Sequence, residues 1–385
     1  MASRRQRGAK GITCPYCFRT FPHWKLHFRY ASTPNASEPD WVYPLPGALL
    51  ARLNPFCKMP TGMPAGPNGR KFDEKVCPFE ECRRSTRRPL PYTAGFERML
   101  ILGLVGDVVA GVNTYRVSLF RRLGEGASGL HAEPMDDYTL RHYRSKEELL
   151  FTHGNILGAS VPPADPWVHS VSPVGRNGKS CTLVLWHTFN EAFYRMEDGD
   201  VGRRLSKMDG LIFLVDPLQL PLLAHGLGGS PDLHGRAPHH LLGDVINVIE
   251  KEMNPPAKKI PIPIAVVVTK ADLLRDAGLI DKNSLWHLPV FHRGSYDLRL
   301  HRDTQTIFGD LVRRDGGGLY EMIVVNFQDY AFFGVSATGC AAVNGEYPRV
   351  DPIRVEDPLL WLLYRLGVID ATQPDARNED SKTGV

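Results

Sequence analysis

Four cysteines near the start of the chain carry the first recognisable chemistry. Cys14-Pro-Tyr-Cys17 is a CxxC knuckle, and Cys77 and Cys82 form a second, looser pair with four residues between them. Two such pairs can supply four thiolates in a tetrahedron, the arrangement that structural zinc takes. The gap between the pairs is long, and His23, His27 and Cys57 lie inside it as substitute ligands. The competing reading is a set of free, buried cysteines. Five of the seven cysteines fall within the first 82 residues, while Cys181 and Cys340 stand alone. In a reducing compartment, clustering of that kind points to metal and not to disulfides. A closed four-ligand site is structural, so no catalysis is expected there.

A second group of residues is spread over the rest of the chain. A phosphate-binding loop needs backbone N–H groups in a Gly-rich turn, a Lys on the phosphates and a Ser or Thr on magnesium. The segment Gly106-Asp-Val-Val-Ala-Gly111-Val112-Asn113 has both glycines at the right spacing. Val112 holds the Lys position and Asn113 the magnesium position, with Thr114 one residue off. Further on, Thr269-Lys270-Ala271-Asp272 ends an apolar run. The segment resembles the TKAD loop of GTPases, in which the Asp takes the guanine N1 and N2 protons and the Lys stem packs on the base. Ser336-Ala337, inside residues 333–339, matches the loop that contacts guanine O6.

These loops need elements to position them. Continuous apolar runs at 99–105, 180–186, 210–215, 262–268 and 330–335 read as buried strands. Val112, Tyr115, Leu119 and Phe120 recur at helical spacing, and residues 241–253 and 358–366 read as helices. Alternating strands and helices with apolar strands imply a mostly parallel sheet covered on both faces. The fold class expected is therefore α/β and P-loop NTPase-like, preceded by a small zinc-ribbon-like module. Residues 1–90 form the module, 95–368 the α/β domain and 369–385 a polar tail, disordered from about residue 371. Residues 83–88 read as a linker, and residues 217–238, rich in Gly, Pro and His, as a long loop.

With those motifs in hand, the chain resembles the TRAFAC-type GTPases of bacterial conflict operons, the double-GTPase family. The resemblance runs over roughly residues 95–368. It includes residues 209–217, the Thr269–Asp272 loop, residues 330–339 and the closing run at 358–363, and the Cys-Pro-Tyr-Cys-Phe start resembles the zinc ribbon that precedes such domains. Family members carry Lys-Thr-Thr-Tyr on the P-loop, where this chain has Val112-Asn113-Thr114-Tyr115. They carry Asp-Thr-x-Gly-Glu after the second strand, where this chain has His187-Thr188-Phe189-Asn190-Glu191. Tyr30 stands where relatives carry a Cys. The resemblance implies a multiprotein system, with another GTPase or GTPase-associated protein as partner and a role in defence.

Magnitudes give the departures their meaning. A charged hydrogen bond contributes about 1.5–3 kcal/mol. Losing the Lys and a magnesium anchor removes roughly 3–6 kcal/mol, or about 10²–10⁴ in affinity. Phosphoryl transfer is catalysed by those charges and by positioning. The expectation is a pseudo-GTPase scaffold or regulatory subunit with negligible hydrolysis, no magnesium, and at most weak GTP or GDP binding through Asp272 and the Ser336 loop. A GTP-binding switch helped by Thr114 or a partner's cation is the second reading. A nucleic-acid adaptor using Arg83, Arg84, Arg87 and Arg88 is the third, with a solvated linker as the plainer account of those arginines.

Other residues receive plainer readings. His187 reads as a core-edge histidine, Glu191 as a surface residue, Asp107 as a turn cap, and His239 and His240 as loop residues. The 43% hydrophobic and 23% charged fractions are those of a globular protein, and a net charge of +4 is too mild to imply nucleic acid. The basic start at 1–10 is followed by no apolar run, and no stretch is long enough to span a membrane. A cytoplasmic protein is expected.

Overall fold

The computed structural model describes residues 11–31, 42–45, 62–126, 128–158, 166–174, 179–187, 198–228, 235–253, 258–288 and 294–372. Cys57, Thr188, Asn190 and Glu191 lie outside them. The N-terminal unit is built from very short elements. β1 (Ile12–Thr13) and β2 (Thr20–Phe21) form an antiparallel hairpin around the CxxC knuckle. β3 (His27–Arg29) lies between β4 (Tyr43–Pro44) and β5 (Glu74–Val76), and α1 (Glu80–Thr86) follows. Its core is aromatic and sulfur-rich, with Tyr16, Phe21, Phe28, Phe72 and the cysteines buried together.

The larger unit is a seven-stranded sheet. Its strands are β6 (Arg98–Val105), β7 (Leu130–Pro134), β8 (Trp167–Pro173), β9 (Cys181–His187), β10 (Gly210–Val215), β11 (Ile264–Val268) and, after the two-residue β12 (Tyr296–Asp297), β13 (Tyr330–Gly334). The order is β13-β11-β10-β6-β9-β8-β7. Five neighbouring strands, from β13 to β9, are parallel, and β8 and β7 add an antiparallel edge. The five expected strands are all present. β7 and β8 were not anticipated, because Glu133, His169 and Ser170 interrupt their apolar pattern.

The helices are α2 (Val112–Gly124), α3 (Asp137–Glu147), α4 (Asp198–Leu205), α5 (Pro221–Gly226), α6 (Pro238–Glu252), α7 (Ala271–Asp276), α8 (Leu298–Asp315), α9 (Leu319–Asn326) and α10 (Asp357–Arg365). Side chains alternate across the sheet with the period of two that a strand imposes. Leu100, Leu102 and Leu104 face α2 and α10, whereas Ile101 and Val105 face the core shared with α6 and α8. Both faces are dry, which is why the strands read as unbroken apolar runs. Among the described residues, no helix is long and apolar enough to cross a membrane.

Three expectations change here. Residues 83–88 are not a solvated linker: α1 runs through them to an αL residue at Arg87, and Arg88 is buried against Asp136 (2.7 Å) with its guanidinium over Tyr138. The stretch at 217–238 is not one loop, since it contains α5 and the start of α6, where Pro238 occupies the first turn that tolerates it. Residues 371–372, placed at the start of the tail, form β14 (Ala371–Thr372) and pair with β12.

The knuckle is docked on the sheet. Phe18, in the left-handed region at φ 57°, is fully buried in the core shared with β9 and β10 and lies 5.5 Å from the Trp186 ring. Trp186 Nε1 donates to the Pro15 carbonyl (2.7 Å), and Lys207 Nζ donates to the Phe18 carbonyl (2.9 Å).

His301 on α8 supplies a stability test. Burial, aided by the Arg365 charge, pushes its imidazole down to about 4, and its Nδ1 shares a hydrogen bond with the Tyr296 hydroxyl (2.9 Å). The unfolded chain protonates near 6.5 and so gains its proton first as pH falls. Stability from this residue is therefore complete above pH 6.5 and is lost down to about pH 4, by up to about 3 kcal/mol. Denaturant titrations across that window are expected to flatten in His301→Gln; an unchanged slope would remove His301 as the cause.

Candidate functional site

The loops marked by the sequence meet at one edge of the sheet. β6, β10, β11 and β13 are parallel neighbours, so the residues that follow them share one end. The chain leaves β6 through α2 toward β7–β9 on one side and later returns to β10 on the other. A crevice outside the carboxyl ends at such a switch point is where open α/β sheets bind ligands.

On the phosphate side the backbone outline survives. Gly106 has no room for a side chain: a Cβ would lie 3.0 Å from Leu214 Cβ and 3.1 Å from Val112 Cγ2. Gly111 sits at φ 75° and opens α2. The loop between them contains one tight 3-10 turn, Val108–Ala110, with Ala110 N donating to Asp107 O (3.0 Å). Asp107 puts a carboxylate in the loop, and that carboxylate accepts from the backbone N–H of Arg236 (2.6 Å). Asn113 Nδ2 donates to Gly158 O (2.6 Å), tying α2 to the segment before β8. Val112, Asn113 and Thr114 are all buried. This arrangement presents a negative side chain and no Lys where phosphates would need positive charge. His187, at the end of β9, is buried and stands in register with Leu104.

The loops at residues 269–272 and 336–339 are held by a connected set of internal contacts. Thr269 N donates to Val215 O (2.8 Å) and Ala271 N to Val335 O (3.0 Å), which fixes both loops to the strands. Ser336 Oγ donates to Asp272 Oδ1 (2.6 Å) and accepts from Gly339 N (2.7 Å). Ser118, on α2, donates to Ala337 O (2.7 Å). Lys270 takes the left-handed φ of 49° and binds Asp216 Oδ2 at 2.6 Å. Asp216 is fully buried and also accepts from Leu218 N, while Gln219 accepts from Asp216 N and donates to Arg236 O. A chain of contacts thus runs from Lys270 through Asp216, Gln219 and Arg236 to Asp107, joining the base side to the phosphate loop. Ser118, Gly158, Asp216, Gln219 and Arg236 went unnoticed as site residues in the sequence. Only the Asp216-Pro step at a strand end signalled any of them.

The cysteines converge as the spacing suggested. Cys14 Sγ lies 3.7 Å from Cys82 Sγ, Cys17 Sγ lies 3.9 Å from Cys77 Sγ, and all four sulfurs fall within 4.8 Å of one another. Zinc–sulfur bonds of about 2.3 Å in a tetrahedron require sulfurs about 3.8 Å apart. The four thiols can therefore hold a metal such as zinc. Burial pushes the Cys14 thiol up, so a cation is what would favour thiolates here. His23 and His27 are not part of this group, which leaves the cysteines as the ligand set among the described residues. Arg83 donates to Cys77 O (2.7 Å) and Arg84 pairs with Glu80 (2.5 Å), so neither stands as an uncommitted basic patch.

The fold is an α/β domain built on a mostly parallel seven-stranded sheet, joined to a four-cysteine module. No protein-family model matches the chain, and no curated protein does. Among solved structures, the S. cerevisiae Ski7 GTPase-like domain bound to GTP is similar at 15% identity and a TM-score of 0.36, covering 72% of this chain and 52% of that one. Elongation factor SelB from Methanococcus maripaludis with a GTP analogue gives 12% and 0.29, covering 72% and 36%. Sup35 complexed with GDP gives 13% and 0.26, covering 66% and 40%. The chain thus spans about half or less of these structures' own length, and the fold assignment rests on strand order and loop placement.

Two outcomes are expected. Lys270→Met leaves Asp216 buried without its cation and is expected to destabilise the protein by about 1–3 kcal/mol, less than for a fully buried pair because Lys270 is partly exposed, with Asp216→Asn in the same chain restoring part of the loss. Additive losses in the double variant would dissolve the pairing. Purified protein is expected to carry zinc by elemental analysis, and Cys77→Ser to lose it. Chelation is also expected to shift Trp186 emission, since the knuckle holds that indole. Metal retained in Cys77→Ser would exclude this ligand set.

Proposed function

We propose that this chain is a pseudo-GTPase: a GTPase-like domain kept as a protein scaffold or regulatory subunit, with its phosphate chemistry lost. One observation carries the reading. The side chains at the phosphate and magnesium positions are Val112 and Asn113; Asn113 is committed to the Gly158 carbonyl, and the acidic Asp107 of the same loop accepts from the Arg236 N–H. Neither Val112 nor Asn113 can neutralise a triphosphate, so the charge stabilisation that phosphoryl transfer needs is missing.

The partner is a protein, in keeping with a multiprotein system, and a GTPase or GTPase-associated protein is the first candidate. The cysteine module, holding zinc, is a structural part of this scaffold. Internal use of Arg83 and Arg88 weighs against a nucleic-acid adaptor. A GTP-binding switch is the second reading, and the observation that favours it is the intact Ser336–Asp272 contact on the base side.

Titration with fluorescent GTP and GDP, with and without magnesium, separates the two. The pseudo-GTPase reading expects no saturable binding at micromolar nucleotide, no effect of magnesium and no phosphate release. Micromolar binding that disappears in Asp272→Ala would replace it with the switch.

A further inference from the structure

A buried cationic cluster lies outside both sites, between α2, α3 and β8. Arg116, one helical turn beyond Asn113, is 3% exposed, and its guanidinium carbon sits 3.8 Å from the centre of the Trp167 ring. Its Nε and Nη1 have no hydrogen-bond partner among the described residues. His169, two residues along β8 from Trp167 and so on the same face, is 1% exposed, and neither ring nitrogen has a hydrogen-bond partner among the described residues. It stacks on Phe120, the residue one turn beyond Arg116, at 3.5 Å. Lys146 of α3 stands at the rim, partly buried and within reach of the Arg116 charge.

The cluster departs from the chain's own practice. Its other well-buried arginines are paired with acids: Arg29 with Glu74, Arg88 with Asp136 and Arg354 with Asp357. Among the described residues, no carboxylate plays that part around Arg116. Burial pushes Arg116 down to about 10; burial and then the Arg116 charge push Lys146 down to about 8 and His169 well below its usual value. A guanidinium out of water without a counter-charge is strongly unfavourable, and an aromatic face offsets only part of that.

We propose that Arg116, His169 and Lys146 bind a small oxyanion of the phosphate or sulfate class. The guanidinium fork suits two oxygens of a tetrahedral anion. Neutral His169 supplies one N–H, and Lys146 supplies a second positive charge where the anion enters. The site is separate from the guanine loops, so it stands whether or not those loops bind nucleotide.

The test is thermal unfolding of the full chain in inorganic phosphate or sulfate against chloride at equal ionic strength. Wild type, Arg116→Met, Lys146→Met and Asp272→Ala are compared, with phosphoserine as a probe for a phosphoryl group on a larger ligand. A saturable rise of several degrees is expected in wild type and Asp272→Ala. It is expected to vanish in Arg116→Met and to need roughly tenfold more anion in Lys146→Met, the loss of one charged contact. A response to phosphoserine as well as phosphate supports the same site with a larger natural ligand. If Arg116→Met does not fold, Lys146→Met decides alone. Equal rises in wild type and Lys146→Met, no saturable rise, or a rise lost in Asp272→Ala would each overturn the proposal.

Discussion

Burial of the parallel sheet on both faces is the constraint from which the rest follows. β6, β10, β11 and β13 have no wet face, so the backbone groups at their carboxyl ends must be satisfied by the loops that leave them. Thr269 N on Val215 O and Ala271 N on Val335 O do this. Asp272 and Ser336 satisfy one another in the same buried layer, and Lys270 neutralises Asp216. These contacts belong to the framework of the fold. The loops at residues 269–272 and 336–339 therefore have a folding reason to keep these residues, apart from any ligand.

No such reason protects the phosphate side. A P-loop Lys and a magnesium-binding hydroxyl stabilise only a bound phosphate, and in a free protein they add repulsion or go unused. Here the two positions have turned inward. Val112 joins the core, and Asn113 staples α2 to Gly158. Asp107 and Arg236 close the far end of the loop by a backbone contact. Direct protein contacts thus hold α2 to the segment before β8, in a place where a metal and a phosphate would do so in an active nucleotide site.

The cysteine module shares this economy of contacts. It is too small for a large core of its own, and it gains stability from four clustered thiols and from the sheet beneath it. Phe18 and the Pro15 carbonyl are fixed by the knuckle and bind Trp186, next to His187 on β9. Arg88 completes the attachment from the other end of the module through Asp136. Ordering of the cysteines is thereby linked to the end of β9.

The amino-acid sequence alone determined the five apolar strands, the closing helices, the glycine spacing of the loop and the four cysteines, because each rests on local periodicity or residue type. It also showed Val112 and Asn113 where a phosphate-binding loop needs a Lys and a Ser or Thr. It could not show the edge strands β7 and β8, whose polar residues break the alternation, nor that Arg83–Arg88 forms a helix and a buried clamp. Nor could it show that Asp216, Gln219 and Arg236 bridge the two halves of the site, or that Arg116 and His169 are buried side by side. Those facts depend on which segments meet across the sheet. A charged residue reads as exposed until the fold supplies its partner, or withholds it, and only tertiary packing decides between the two.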